Sequence, residues 1–148
     1  MPYFTYDTSV IISRGLFPFQ HRPQNLLVSA VVLTELTAGA QDFSQRKQLE
    51  QAYLRLQRDD SLIVPNDEDW LMTSKILFLL THARKRLHKG KLKQLPPGAS
   101  QRLALDVLLA VSARRWKAQV VTENWSDFKA IQRYCNTTIV KATQFFQQ

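Results

Sequence analysis

The chain predicts an α/β fold built on a mainly parallel central sheet of about five strands, and three features point there. Short β-prone runs alternate with longer helical runs, at separations that suit right-handed crossovers. The helical runs are apolar enough to cover both faces of a sheet. Turn and stop residues fall between the runs, with no internal repeat or low-complexity stretch to suggest another architecture. The 148 residues fit one domain, spanning 1–148, with one sizeable core.

The elements follow in order. Tyr3 to Tyr6 is short, aromatic and β-prone, and Asp7-Thr8-Ser9 supplies helix-starting side chains before Val10-Ile11-Ile12. Residues Gly15 to Asn25, with two prolines, read as a loop. Leu26 to Ser29 is a second strand, and the helix after it runs to about Ala38, where Gly39 stops it. Phe43 to Arg58 is amphipathic, with Leu49, Ala52, Tyr53 and Leu56 at helical spacing. Leu62 to Val64 is a third strand closed by Pro65, and a long helix follows Asn66 to about Leu87, with Gly90 as its stop. Asp67, Glu68 and Asp69 lie in its first turn, where negative charge complements the helix dipole, so they read as structural. Lys91 to Ala99, holding Pro96-Pro97-Gly98, is a connector. Ser100 to Trp116 forms a strongly apolar helix, Gln119 to Thr122 a fourth strand, Asn124 to Tyr134 a short helix and Thr137 to Val140 a fifth strand.

Composition narrows the classes of function. Twenty Lys and Arg against twelve Asp and Glu leave a net charge of +8, which favours a polyanionic partner, nucleic acid ahead of an anionic membrane surface. Solubility alone is the plainer explanation of the same charge. The single cysteine, Cys135, excludes an internal disulfide and a thiolate cluster, and suits a small buried side chain better than a nucleophile. The opening MPYFTYDTSV lacks a signal-peptide pattern, and no run is long and apolar enough to span a bilayer, so a cytoplasmic location is expected.

Four acids carry the chemistry: Asp7, Glu35, Asp106 and Asp127. Asp7 and Asp127 follow predicted strands, at the carboxyl edge where open α/β sheets bind ligands. Singly, Asp7 reads as an N-cap and Asp127 as a surface acid. Glu35 is more diagnostic, because Val31, Val32, Ala38 and Gly39 surround it on a helix and offer no cation. Asp106 has Leu103, Leu109 and Ala110 on its face, and an ion pair with Arg102 one turn earlier is its alternative role. Ionised carboxylates gathered in a protein are unfavourable unless a cation or proton intervenes. Mg2+ (or Mn2+) prefers oxygen ligands and keeps several waters. A bound divalent ion also activates water and stabilises charge on a phosphate, which is the demand of phosphodiester hydrolysis. His21, His82 and His88 show no zinc spacing. Thr8, Ser9, Thr122 and Asn124 surround the acids and either cap helices and turns or hold the carboxylates in place. Glu123 has no assignable direction.

The run from Arg84 to Lys93, containing Arg84, Lys85, Arg86, Lys89, Lys91 and Lys93, is the densest positive charge. It suits either a solvated helix end or contact with an RNA backbone. Trp70, Trp116 and Trp125 read as packing anchors rather than base-stacking platforms. The apolar segments Leu49 to Leu56 and Ile76 to Leu80 suit either the core or a partner surface.

In this order the motifs resemble the PIN-domain family, most closely its VapC-type toxins. Asp7-Thr8-Ser9-Val10 is similar to the first motif, Val32 to Leu36 to the second with Glu35 as its Glu, Leu105 to Ala113 to the helix bearing the third acid, and Val120 to Phe128 to the closing Thr-x-Asn…Asp-Phe motif. The likeness spans nearly the whole chain and misses none of the acids, although the connector from Lys89 to Ala99 is longer and more basic than the family's usual turn. The resemblance implies a three-layer α/β/α sandwich and a metal-dependent endoribonuclease acting on RNA. It further implies a small antitoxin partner and a homodimer. Asp7, Asp106 and Asp127 would then be direct metal ligands, with Glu35 acting through water or at a second ion. Two other readings remain open at this level: a PIN-like RNA-processing nuclease without an antitoxin, and a non-catalytic RNA-binding module on the same fold.

Overall fold

A computed structural model describes residues 2–19, 21–87 and 98–147, with the side chains of 84–87 excepted. The chain runs β1 (Phe4–Tyr6), α1 (Thr8–Arg14), β2 (Val28–Ser29), α2 (Ala30–Ala38), α3 (Phe43–Arg58), β3 (Leu62–Ile63), α4 (Asp67–Leu87), α5 (Ala99–Arg115), β4 (Gln119–Thr122), α6 (Trp125–Gln132), β5 (Ile139–Lys141) and α7 (Ala142–Phe145). All strand pairs are parallel, as alternation with helices requires. The expected stop at Gly90, residues 91–97 of the connector, His88, and the side chains of Arg84, Lys85, Arg86, Lys89, Lys91 and Lys93 lie outside the described residues, while Ala99, expected to end the connector, already opens α5.

The expectation of one five-stranded sheet needs correction. β1, β4 and β5 form a three-stranded sheet in the order β1-β4-β5, while β2 and β3 pair separately. A single bridge between Phe4 and Leu26 links the two, with Leu27 N donating to the Phe4 carbonyl at 2.9 Å. The cause is local. Ser29 ends β2 by turning at once into the N-cap of α2, its hydroxyl accepting from Val31 N at 3.1 Å. Two residues are too few to extend a ladder past β3, so the join to β1 falls on the approach to the strand. β1 is cut short in the same way by Asp7, the N-cap of α1. At the far end of α1, Gly15 adopts φ 58, a left-handed conformation that suits glycine, and its N–H reaches the carbonyls of Ile11 and Ile12.

α5 forms the spine of the core. Val107 through Ala113 are seven consecutive buried residues, so this stretch is enclosed on every side. Ser112, the polar member of the run, donates to the Leu108 carbonyl at 2.7 Å and is satisfied within the helix. Around it pack Val10, Val32, Ile63, Val120, Val121, Phe128 and Ile131. α4 lies along α5 with Asp69, Thr73, Ile76 and Leu80 turned inward at helical spacing. Trp70 therefore faces outward and is 58% exposed beside Leu71, Phe78 and Leu79, so the packing role expected of it is not what it plays. Trp116 and Trp125 do pack against the core. Cys135 is buried, its sulfur against the Thr137 hydroxyl, consistent with a small core residue.

The acids at the start of α4 act as its cap. Asn66 and Asp69 exchange hydrogen bonds between side chain and backbone N–H at 3.0 and 2.9 Å. Arg115 then pairs with the buried Asp69 carboxylate at 3.1 Å and donates to the Val64 carbonyl at 2.7 Å. No helix among the described residues is long and apolar enough to cross a membrane.

Candidate metal centre

Parallel pairing of β1 and β4 places Tyr6 opposite Val121, which brings the residues that follow each strand side by side. Asp7 N donates to the Val121 carbonyl at 3.1 Å, and the Thr122 hydroxyl donates to Asp7 Oδ2 at 2.6 Å. The other carboxylate oxygen accepts from the Ser9 hydroxyl at 2.6 Å and from Val10 N at 3.1 Å. Thr122 also accepts from Asn124 N at 2.8 Å, tying the β4–α6 loop to the same carboxylate. Asp7 is thus the helix cap and a member of the acidic group at once. Burial pushes its carboxyl above the ordinary range, the hydrogen bonds from Ser9, Thr122 and Val10 pull it back, and Glu123 nearby adds to the rise.

Glu35 is half-buried on α2 and accepts from the Thr8 hydroxyl at 3.0 Å. Its carboxyl is raised first by burial and then by the charge of Asp7, with Thr8 opposing. Asp106 is the most perturbed of the four. It sits on α5 immediately before the buried run, and among the described residues nothing donates a hydrogen bond to its side chain and no cation pairs with it. The ion pair with Arg102 does not form; that guanidinium offsets the charge only weakly. Burial, then the charges of Glu35, Asp7 and Asp127, push Asp106 up to about 7. Asp69 shows the ordinary alternative, a buried acid matched by an arginine and a reciprocal cap.

Asp127 is exposed in the first turn of α6, and Asn124 is that helix's N-cap residue. Asp106, Asn124 and Asp127 together line a pocket of about 490 Å3 between α4, α5 and α6. Asp7 and Thr122 are buried, whereas Glu35 opens into a separate groove with Ile11, Phe17 and Leu49. The four acids are therefore coupled through charge but do not share one cavity. Among the described residues, no three His, Cys, Asp or Glu side chains are gathered closely enough to hold a bare ion. The donors suit a hydrated divalent ion better, since Mg2+ takes oxygen ligands, retains waters and needs only one or two carboxylates. An under-compensated carboxylate at the pocket wall fits such an ion, whereas zinc would call for histidine or cysteine. His82 lies against Phe78 on α4, with ring centroids 4.0 Å apart, and Cys135 is in the core.

Glu123 turns away from the pocket, accepting from the Ser13 hydroxyl at 3.1 Å and pairing with Arg14 at 3.3 Å. Arg133 and Tyr134 also line the pocket, and the sequence reading did not single them out. A usable signal was present: Asp127, Ala130, Arg133 and Tyr134 fall on one helical face, as Ala99, Arg102, Leu103 and Asp106 do on α5.

No family model and no curated protein matches the chain. Solved structures do. A chain of VapBC-1 from nontypeable Haemophilus influenzae aligns with a TM-score of 0.55 at 18% identity, covering 95% of this chain and 98% of that one. DNA-bound VapBC from Salmonella typhimurium gives 0.54 at 18% identity over 96% and 99%. FitAcB from Neisseria gonorrhoeae gives 0.54 at 15% identity over 95% and 98%. At such low identity the likeness is one of architecture: along nearly its whole length, the chain shares the fold of these VapBC and FitAcB chains.

Proposed function

We propose that the chain is a Mg2+- or Mn2+-dependent endoribonuclease of the VapC type, the toxin of a toxin–antitoxin pair. The observation that carries this reading is Asp106, a carboxyl at a pocket wall, raised to about 7 first by burial and then by three other acids, and matched by no cation among the described residues. A structural acid on a buried helix is normally paired, as Asp69 is. Leaving one unmatched has a physical rationale if a divalent ion supplies the missing charge. The fold shared with VapBC and FitAcB chains supports the same reading and favours a small antitoxin partner. The apolar groove between α2 and α3, lined by Leu33, Leu49, Tyr53 and Leu54, offers such a partner a place, and a homodimer is the companion proposal.

When bound, a divalent ion supplies an activated water and neutralises charge growing on the phosphate. Asp7, Asp106 and Asp127 would be its ligands, with Glu35 acting through water. Thr122 and Ser9 fix the Asp7 carboxylate, so its lone pairs point in a set direction before any ligand arrives. Asn124 braces the loop between them through its N–H to Thr122. The basic surplus of the chain suits an RNA substrate.

The test is sequencing of RNA ends after induction of wild type, Asp7→Asn and Asp106→Asn, beside purified protein with Mg2+ or EDTA. New ends are expected with wild type alone, dependent on Mg2+. Cleavage that survives both substitutions, or survives EDTA, would overturn the proposal.

A further inference from the structure

The pocket that holds Asp106 and Asp127 also carries two guanidinium groups with no structural task. Arg102 lies on α5 one turn before Asp106, and Arg133 closes the end of α6 six residues after Asp127. Both are exposed and both line the pocket. Among the described residues neither makes an ion pair or a side-chain hydrogen bond. Arg14, Arg22, Arg46 and Arg115 are each held by a carboxylate. Arginines that stay unpaired beside two aspartates are placed for a different anion.

A polyanionic strand entering an acidic pocket is repelled, by about 1 kcal/mol per charge pair at ~4 Å in water and about four times that in a less polar setting. A guanidinium on either wall reverses that sign locally, and its flat fork binds two phosphate oxygens at once, which a lysine does not. The pocket, about 490 Å3, is lined by Arg102 from α5 and by Arg133 from the end of α6, so a strand entering it meets a guanidinium from each helix. We propose that Arg102 and Arg133 grip the two backbone phosphates that flank the one presented to Asp106 and Asp127. This inference rests on the endoribonuclease reading and goes beyond it, by assigning to α5 and α6 the task of setting strand register.

Binding is read apart from chemistry in the Asp106→Asn background, in EDTA, using a fluorescein-labelled 20-nucleotide RNA and anisotropy across a KCl series. Adding R102Q and R133Q together should weaken binding about ten-fold at low salt. The slope of log K against log salt should fall by about 1.4, close to ~0.7 for each phosphate released. R102K/R133K should recover part of the affinity, and the single variants should each lose part. K47Q/R58Q, which removes two exposed charges from α3 away from the pocket, should leave both quantities unchanged. In otherwise wild-type protein, R102Q/R133Q should raise KM about ten-fold and change kcat less than three-fold. Unchanged affinity and slope in R102Q/R133Q would overturn the inference, as would an equal loss in K47Q/R58Q. If wild type with Mg2+ cleaves the RNA while Asp106→Asn does not, that failure touches the arginines alone. Absence of cleavage by wild type would instead remove the nuclease reading on which they rest.

Discussion

Replacing Asp106 by Asn should stabilise the metal-free protein at about pH 8 while destroying its response to metal. The carboxyl moves from an ordinary 3.8 to about 7 on folding, driven first by burial and then by Glu35, Asp7 and Asp127. At about 1.4 kcal/mol per pH unit, holding it ionised in the folded state costs on the order of 4 kcal/mol at most. Asp106 is half-buried, and relaxation with water at the pocket wall reduces that ceiling to about 2 kcal/mol. The sign follows from proton counting. Between about pH 4 and 7 the native state keeps a proton that the unfolded chain has released, so stability falls as pH rises through this window and levels off above it. Asn has no proton to lose. Asp7 and Glu35 are raised as well, so the difference between the two stability curves reports position 106 together with its coupling to them. Thermal melts from about pH 5 to 8 in EDTA should show Asp106→Asn gaining on wild type with pH, reaching roughly 4–8 °C at pH 8. In the proposed site Mg2+ or Mn2+ would bind the ionised form, so its stabilisation of wild type should grow over the same window and vanish in the variant. Parallel curves, or a variant less stable than wild type at pH 8, would refute the account of Asp106 as an uncompensated charge.

Two other substitutions probe the neighbours. Thr122→Val keeps the shape of a side chain only 1% exposed but removes the donor to Asp7 Oδ2 and the acceptor for Asn124 N. It should cost about 1–3 kcal/mol and, by calorimetry with Mn2+, weaken metal binding on the order of ten-fold; an unchanged melt and affinity would show that these bonds are idle. Asp69→Ala removes both the partner of Arg115 and the acceptor for Asn66 N, and should destabilise by about 2 kcal/mol in urea unfolding while leaving kcat per folded molecule unaltered. A rise in stability there would contradict the structural role.

The opposite signs expected at positions 69 and 106 bear on what the sequence could reveal. Both acids belong to helices packed in the core, and sequence patterning separates the paired one from the unpaired one for a single reason: Asp69 lies in a first turn, where a cap explains it, and Asp106 lies inside an apolar helix, where none does. Helix limits were legible wherever a stop residue enforces them, as at Gly39 after α2, and the bounds of α3 and β4 are those expected. The size of the sheet was not legible, because strand length here is decided by how soon Ser29 and Asp7 capture the next helix. α7 went unforeseen for a related reason, being a single turn with no cap side chain to announce it.

Adjacency of Asp7 and Thr122 follows once β1 and β4 are parallel neighbours, since their register places the two strand exits together. The pairing of Glu123 with Ser13 and Arg14 had no such warrant, because a residue leaving a strand can face either side and its partners are over a hundred positions away. On the α5 wall of the pocket, i,i+4 spacing of opposite charges suggests a pair in the sequence. Arg102 and Asp106 have that spacing, yet the structure leaves them apart. An ion pair would have neutralised both groups. Unpaired, both remain open to other partners, and under the proposed nuclease reading one phosphodiester strand with a bound divalent ion would satisfy the two together.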